Sequence, residues 1–166
     1  TERLTLRQHR VEDYDAFRLH RQDPEVYRYI GGHLSDEECW HRLMRYVGHW
    51  SLLGFGIFGV FDRHSGALLG EVGFADFHRG HGEGFDGYPE AAWNLAVAAQ
   101  GKGYALEAVR AAHDWHQSQF GPQRTVCMID PDTTPSFKLA EKLSYRVFDR
   151  RNYWNKDMVL LERVDQ

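Results

Sequence analysis

The chain has 166 residues, a formal charge of −4 with histidine neutral, and 42% hydrophobic and 14% aromatic content, which excludes a disordered chain and allows a core without staples. An isoelectric point near 6.2 argues against a general binder of nucleic acid or anionic membrane, so any anion site must be local. No apolar run approaches the length of a membrane span, and no secretory apolar stretch opens the sequence.

Leu4-Thr5-Leu6-Arg7 alternates as a strand, and Asp13 starts a short helical pattern that Asp23-Pro24 ends. Ser35 with Glu38 forms a capping box. The helix it opens carries Trp40, Leu43, Met44, Val47 and Trp50 on one face and stops near Gly54. Residues 57–61 and 68–77 read as strands joined by a hairpin-type connection over 62–66. Gly54-Phe55-Gly56-Ile57-Phe58-Gly59 spells G-x-G-x-x-G, but it follows a helix and enters a strand, the reverse of a dinucleotide motif. These glycines read as a helix stop followed by close backbone packing. Residues 79–89 hold four glycines without periodicity and read as a mobile loop.

Ala91-Ala92-Trp93-Asn94-Leu95-Ala96-Val97 reads as a strand, and Ala105, Ala108, Val109, Ala112, Trp115 and His116 give a helix its apolar face. Between them lies Gln100-Gly101-Lys102-Gly103-Tyr104-Ala105. A glycine-bearing turn at a helix N-terminus lets unpaired N–H groups and the helix dipole receive an anion. Gly101 and Gly103 keep side chains out of the way, and Lys102 adds a positive charge. A P-loop fails here because Ala96 and Gly103 stand where it needs glycine and Ser/Thr. A dinucleotide fingerprint fails at Leu106 and at Gln123.

The helix ends around Gly121-Pro122; 125–129 is a β-branched strand, and Asp130-Pro131 leads the chain out of it. Thr134-Pro135 suits an N-cap with proline at the first helical position, and Phe137, Leu139, Ala140 and Leu143 line the last helix. Strands near 145–148 and 158–163 finish the pattern. No repeat or linker interrupts it, so residues 1–166 read as one domain. Cys39 and Cys127 read as buried thiols in a reducing cytoplasm. The pairs His113/His116 and His78/His81 lack Cys or carboxylate partners at ligand spacing, so no metal is expected.

Gln100, Gly103 and Ala105 satisfy Gln/Arg-x-x-Gly-x-Gly/Ala, and the segment resembles the pyrophosphate turn of the GNAT acetyltransferase superfamily. Asp132-Thr133-Thr134-Pro135-Ser136 and Ala140-Glu141-Lys142-Leu143-Ser144-Tyr145 resemble the last-helix signature of its Rim-type branch, named for acetyltransferases of ribosomal-protein N-termini. The opening residues 1–7, Gly54-Phe55-Gly56 and Gly70-Glu71-Val72-Gly73-Phe74 also resemble that branch, in family order. The resemblance implies a single mixed α/β domain with a central, mostly antiparallel twisted sheet and about four helices. It implies acetyl-CoA as co-substrate, its pyrophosphate on Gln100, Gly101, Lys102, Gly103, Tyr104 and Ala105, and its pantetheine arm along Leu95, Ala96 and Val97, toward Thr133 and Ser136.

Transfer to a primary amine then needs a base, a polarised carbonyl and a proton for the leaving sulfur. Glu90 is the first candidate for the base, with Glu71, Asp76 and His78 as rivals; a solvated surface charge is the plain alternative for each carboxylate. Backbone N–H groups near 94–96 are candidates to polarise the carbonyl, Ser136 to bond the sulfur, and Tyr88 to shape the acceptor pocket. Three positions depart from the family pattern. Thr133 replaces an asparagine, Ser144 replaces a glycine where the backbone often turns left-handed, and Ala140 stands where many GNAT branches carry an acid tyrosine. The acceptor classes left open are a protein N-terminus, an amino acid, a polyamine and an aminoglycoside. The reading from another class is a CoA-binding module without turnover.

Overall fold

The computed structural model describes residues 1–28 and 31–164. β1 (Leu4–Arg7), β2 (Ile57–Asp62), β3 (Leu68–Ala75) and β4 (Glu90–Leu95) are successive antiparallel neighbours. β5 (Arg124–Ile129), β7 (Lys156–Val164) and β6 (Arg146–Tyr153) form a second antiparallel set. The two sets join into one seven-stranded sheet, ordered β1-β2-β3-β4-β5-β7-β6, through a parallel contact between β4 and β5. That contact has one registered pair, Glu90 opposite Val126, with Val126 N–H donating to the Pro89 carbonyl at 3.1 Å. Beyond it both strands run on without pairing to each other. The mixed, mostly antiparallel sheet matches the expected fold class.

α4 (Tyr104–Phe120) covers one face, where Ala108, Val109 and Ala112 let it lie close to Val72 and Phe74. Strand alternation sends Ala75 to the opposite face, where it packs with Phe17 of α1 (Tyr14–Arg21) and with Cys39, Leu43 and Tyr46 of α3 (Asp36–Leu53). The capping box forms: Glu38 N–H donates to Ser35 Oγ at 3.2 Å, and Ser35 N–H donates to the Glu38 carboxylate at 2.8 Å. The buried stripe is Cys39, Leu43, Tyr46 and Trp50, whereas Trp40, Met44 and Val47 are 38–39% exposed. The expected face was thus turned by the large apolar residues; a small cysteine and a tyrosine whose hydroxyl meets Arg21 occupy the core instead.

Pro24 was expected only to end a helix, yet it also opens α2 (Pro24–Tyr27), with the Asp23 carboxylate accepting from Glu25 N–H. The last hairpin is longer than 145–148 and 158–163. Trp154 (φ 51°) and Asn155 (φ 62°) make a two-residue turn between Tyr153 and Lys156, so pairing runs to its tip. The G-x-G-x-x-G run behaves as read. A Cβ on Gly56 would stand 2.7 Å from the Trp50 indole nitrogen, which itself donates to the Ile57 carbonyl. The glycine-rich loop is pinned by Phe85, which is 3% exposed and packs with Val126 and Leu160.

Candidate functional site

β4 stops at Leu95, a 3-10 turn spans Val97–Ala99, and the glycine turn then delivers α4. Gly101 and Gly103 have φ of 73° and 79°, in the left-handed region, and Gly103 is the N-cap of α4. A Cβ at Gly101 would meet nothing within 4 Å, so the turn is open to a ligand. No side chain caps this end of α4 among the described residues, and the first-turn N–H groups of a helix lack intrahelical partners. The Gln100 amide donates to the Leu95 carbonyl at 3.2 Å, which ties the turn back to the strand.

Sequence reasoning missed Arg3. Its Nη1 donates to the Lys102 carbonyl at 3.0 Å, its Nε donates to Glu107 at 2.7 Å, and its guanidinium lies 4.5 Å from the Tyr104 ring centroid. A second cation therefore stands beside exposed Lys102, delivered from the distant chain start. The family-like opening residues were the only signal for it.

The backbone of Ala96 turns to β3, its N–H donating to the Leu69 carbonyl at 2.8 Å. Alternation then directs the backbone groups of Ala91, Trp93 and Leu95 toward β5. Val97 belongs to the 3-10 turn, so of the expected triplet Leu95, Ala96 and Val97, it is Leu95 that offers a strand edge to the gap.

A cavity of about 480 Å³ opens where β4 and β5 run on unpaired. Ala92, Trp93 and Asn94 line one side; Met128, Ile129 and Asp130 line the other. Thr133 and Ser136 reach it from α5 (Thr134–Lys142). The N-cap of α5 is Thr133 rather than Thr134. The Thr133 hydroxyl makes no capping bond; its Oγ1 and the Asn94 Nδ2 are both buried without a hydrogen-bond partner. Asn94 was not singled out in the sequence, where an asparagine inside a strand carries no special mark. The Trp93 indole points its N–H at Ser136 Oγ, at 3.4 Å.

Glu90 lies in this cavity, 5% exposed, its carboxylate taken by the Arg79 fork. Burial raises its pKa, and Arg79 opposes that rise without cancelling it. Glu71 also lines the cavity, but Arg21 lies 2.7 Å and His9 3.5 Å from its oxygens. Burial alone would push Glu71 up; these partners overcome it and hold the carboxyl at about 2. A group that acidic is a poor proton acceptor near neutrality. Asp76 and His78 face each other at 3.3 Å and neither lines the cavity.

Cys127 touches the cavity, but burial raises its thiol pKa well above the ordinary value, which keeps it protonated. Tyr88, expected at the acceptor pocket, instead lies under Arg124, with 4.3 Å from guanidinium to ring centroid, and does not line this cavity. No group of three His, Cys, Asp or Glu among the described residues could hold a metal ion.

An open turn at a helix N-terminus, an unpaired strand edge and a polar cavity follow one another along β4 and its continuation. The chain belongs to the GNAT acetyltransferase family: the acetyltransferase (GNAT) domain profile matches residues 3–146. An uncharacterized N-acetyltransferase, p20, from Bacillus licheniformis is 30% identical over 148 residues, 88% of this chain and 80% of the relative. A solved structure described as a GNAT-family acetyltransferase from Bordetella pertussis is 36% identical, with TM-score 0.89 over 98% of this chain and 96% of that one. At the level of fold, spermidine N-acetyltransferase from Vibrio cholerae, solved with CoA and spermine, aligns with TM-score 0.76 at 18% identity, covering 99% and 97% of the two chains. The family uses acetyl-CoA. The residues here fit it: the turn is open, and Thr133 Oγ1 and Asn94 Nδ2 lack partners that an amide-bearing arm would supply.

Proposed function

We propose that the chain is an acetyl-CoA-dependent N-acetyltransferase of the Rim-type branch, acting in the cytoplasm as one domain on a primary amine. The observation that carries this reading is that β4, unpaired with β5 beyond the Glu90–Val126 pair, lines a polar cavity and leads along the chain to the glycine turn at the start of α4. Gln100, Gly101, Lys102, Gly103, Tyr104 and Ala105 would hold the pyrophosphate, Leu95 would pair with the pantetheine arm, and Thr133 would bond one of its amides. When bound, the thioester supplies an acetyl group activated for transfer.

The chain's own groups then do three jobs. Glu90 takes the proton of the incoming ammonium, Leu95 N–H bonds the carbonyl oxygen, and the Ser136 hydroxyl bonds the sulfur. A C–N bond replaces a C–S bond; the ammonium gives up two protons, one through Glu90 to solvent before attack and one to the leaving sulfur, which departs as the CoA thiol.

Isothermal titration with acetyl-CoA tests the reading, on the native protein and on Gly103→Asp, which sets a carboxylate in the turn. Native binding with loss in a folded variant supports it; no binding by the folded native protein overturns it. The Arg79 grip on both Glu90 oxygens favours a second reading, a CoA-binding module without turnover. Amine-dependent release of CoA thiol separates the two.

A further inference from the structure

Six cationic side chains line the cavity, Arg21, Arg28, Arg42, Arg45, Arg79 and Lys156, against the three acids Glu71, Glu90 and Asp130. The acids are already engaged: Arg21 lies 2.7 Å from Glu71, Arg79 2.7 Å from Glu90 and Lys156 2.5 Å from Asp130. Arg28 reaches Glu25 at 2.6 Å. Among the described residues, no ion pair takes Arg42 or Arg45. A chain of net charge −4 therefore gathers more cationic than acidic side chains at this cavity.

The two arginines sit at i and i+3 on α3, on the face that presents Tyr46 to the same cavity. Arg45 is steered by rings, 5.5 Å from the Phe77 centroid and 5.8 Å from that of Tyr46. Arg79 lies 4.7 Å from the same Phe77 ring, which places the Glu90 clamp and Arg45 around one aromatic side chain. Desolvation lowers the Arg45 pKa; Tyr46 opposes that, and the smaller Arg42, Arg21 and Arg79 charges add to it, so an arriving anion would relieve a crowded cation. A polyamine or aminoglycoside would meet like charge there. A carboxylate would meet guanidinium forks, which suit it geometrically.

We propose that the acceptor is an amine that also carries an oxyanion, in the simplest case a carboxylate, held by Arg45 and Arg42 while the amine faces Glu90. This rests on the acetyltransferase reading. It narrows the four acceptor classes left open by the sequence to those that carry an anion beside the amine.

The test follows thiol release by the native protein with acetyl-CoA and acceptors that differ only in the anion. Phenylalanine is compared with its main-chain amide, glutamate with the main-chain amide of glutamine, peptides with acidic second residues with their neutral counterparts, and spermidine serves as an anion-free amine. The expected result is a kcat/KM roughly tenfold or more higher for an anionic acceptor, free or peptidyl, than for its neutral twin. R45Q and R42Q should pull that ratio toward one through acceptor KM while leaving acetyl-CoA affinity unchanged. Equal rates for the twins, preference for spermidine, or loss of acetyl-CoA affinity in R45Q overturns the proposal. So does acetyl-CoA binding with no turnover of any anionic amine. Failure of acetyl-CoA to bind at all is a different result, and it overturns the acetyltransferase reading itself.

Discussion

Arg79 closes a fork on Glu90, with Nε 2.7 Å from one carboxylate oxygen and Nη2 2.7 Å from the other, at the point where the sheet divides. The clamp holds down a pKa that burial drives up. Removing it in Arg79→Gln should raise that pKa further and move the acid limb of the kcat/KM profile to higher pH. Arg79→Lys should restore part of the shift, because charge returns without the fork. Glu90→Gln should remove the limb and lower kcat by about 10²- to 10⁴-fold. An unchanged profile in both Arg79→Gln and Glu90→Gln would take the base role from Glu90.

Glu71 differs from Glu90 in what its arginine does. Arg21 is 5% exposed and Glu71 2% exposed, so Glu71→Gln would leave a buried guanidinium unpaired. The expected loss is about 3–5 kcal/mol by denaturant unfolding. Glu71 titrates near 2 in the folded protein against 4.5 in the unfolded chain. Its stabilisation is therefore full above pH 4.5 and disappears as pH falls toward 2. The Gln variant should lack that part of the acid dependence.

His113 sets a second acid window. It is 2% exposed, with Nε2 3.2 Å from the Tyr145 hydroxyl. Desolvation first, then Arg163 and His116, lower its pKa from 6.5 to about 3. The folded protein keeps the ring neutral where the unfolded chain protonates it. Stability should fall by about 1.4 kcal/mol per pH unit below 6.5 and level off near 3. His113→Asn should flatten that slope in pH-dependent urea unfolding.

Ser144 has φ of 66° just past the end of α5, in the left-handed region that favours glycine. Ser144→Gly should relieve about 1 kcal/mol of left-handed strain and raise Tm by about 2–4 °C. A lowered Tm would mean that Ser144 makes up for its backbone elsewhere.

The glycine turn was legible because a left-handed N-cap, a strand before it and a helix after it each mark the sequence locally. The Ser35–Glu38 box and the Ser144 conformation were legible for the same reason. What local patterns could not carry was assembly across distance. Arg3 reaches the turn from the other end of the chain, and nothing in the spacing of α3 marks Arg42 and Arg45 as lining a cavity. Tyr88, at the end of the glycine-rich loop, lines a small neighbouring pocket with Arg79 and Glu90 and not the main cavity, a distinction loop position alone does not carry. The last hairpin was underread because Trp154-Asn155 has no turn glycine.

One registered pair joins β4 to β5, so the sheet is two plates riveted at a single point. A molecule lying along the opening would bridge the plates as a splint bridges a fracture. Its effect should therefore extend past the atoms it touches, slowing amide hydrogen exchange on both plates together. Occupancy and rigidity would then be the same event, and the empty protein would be the softer of its two forms.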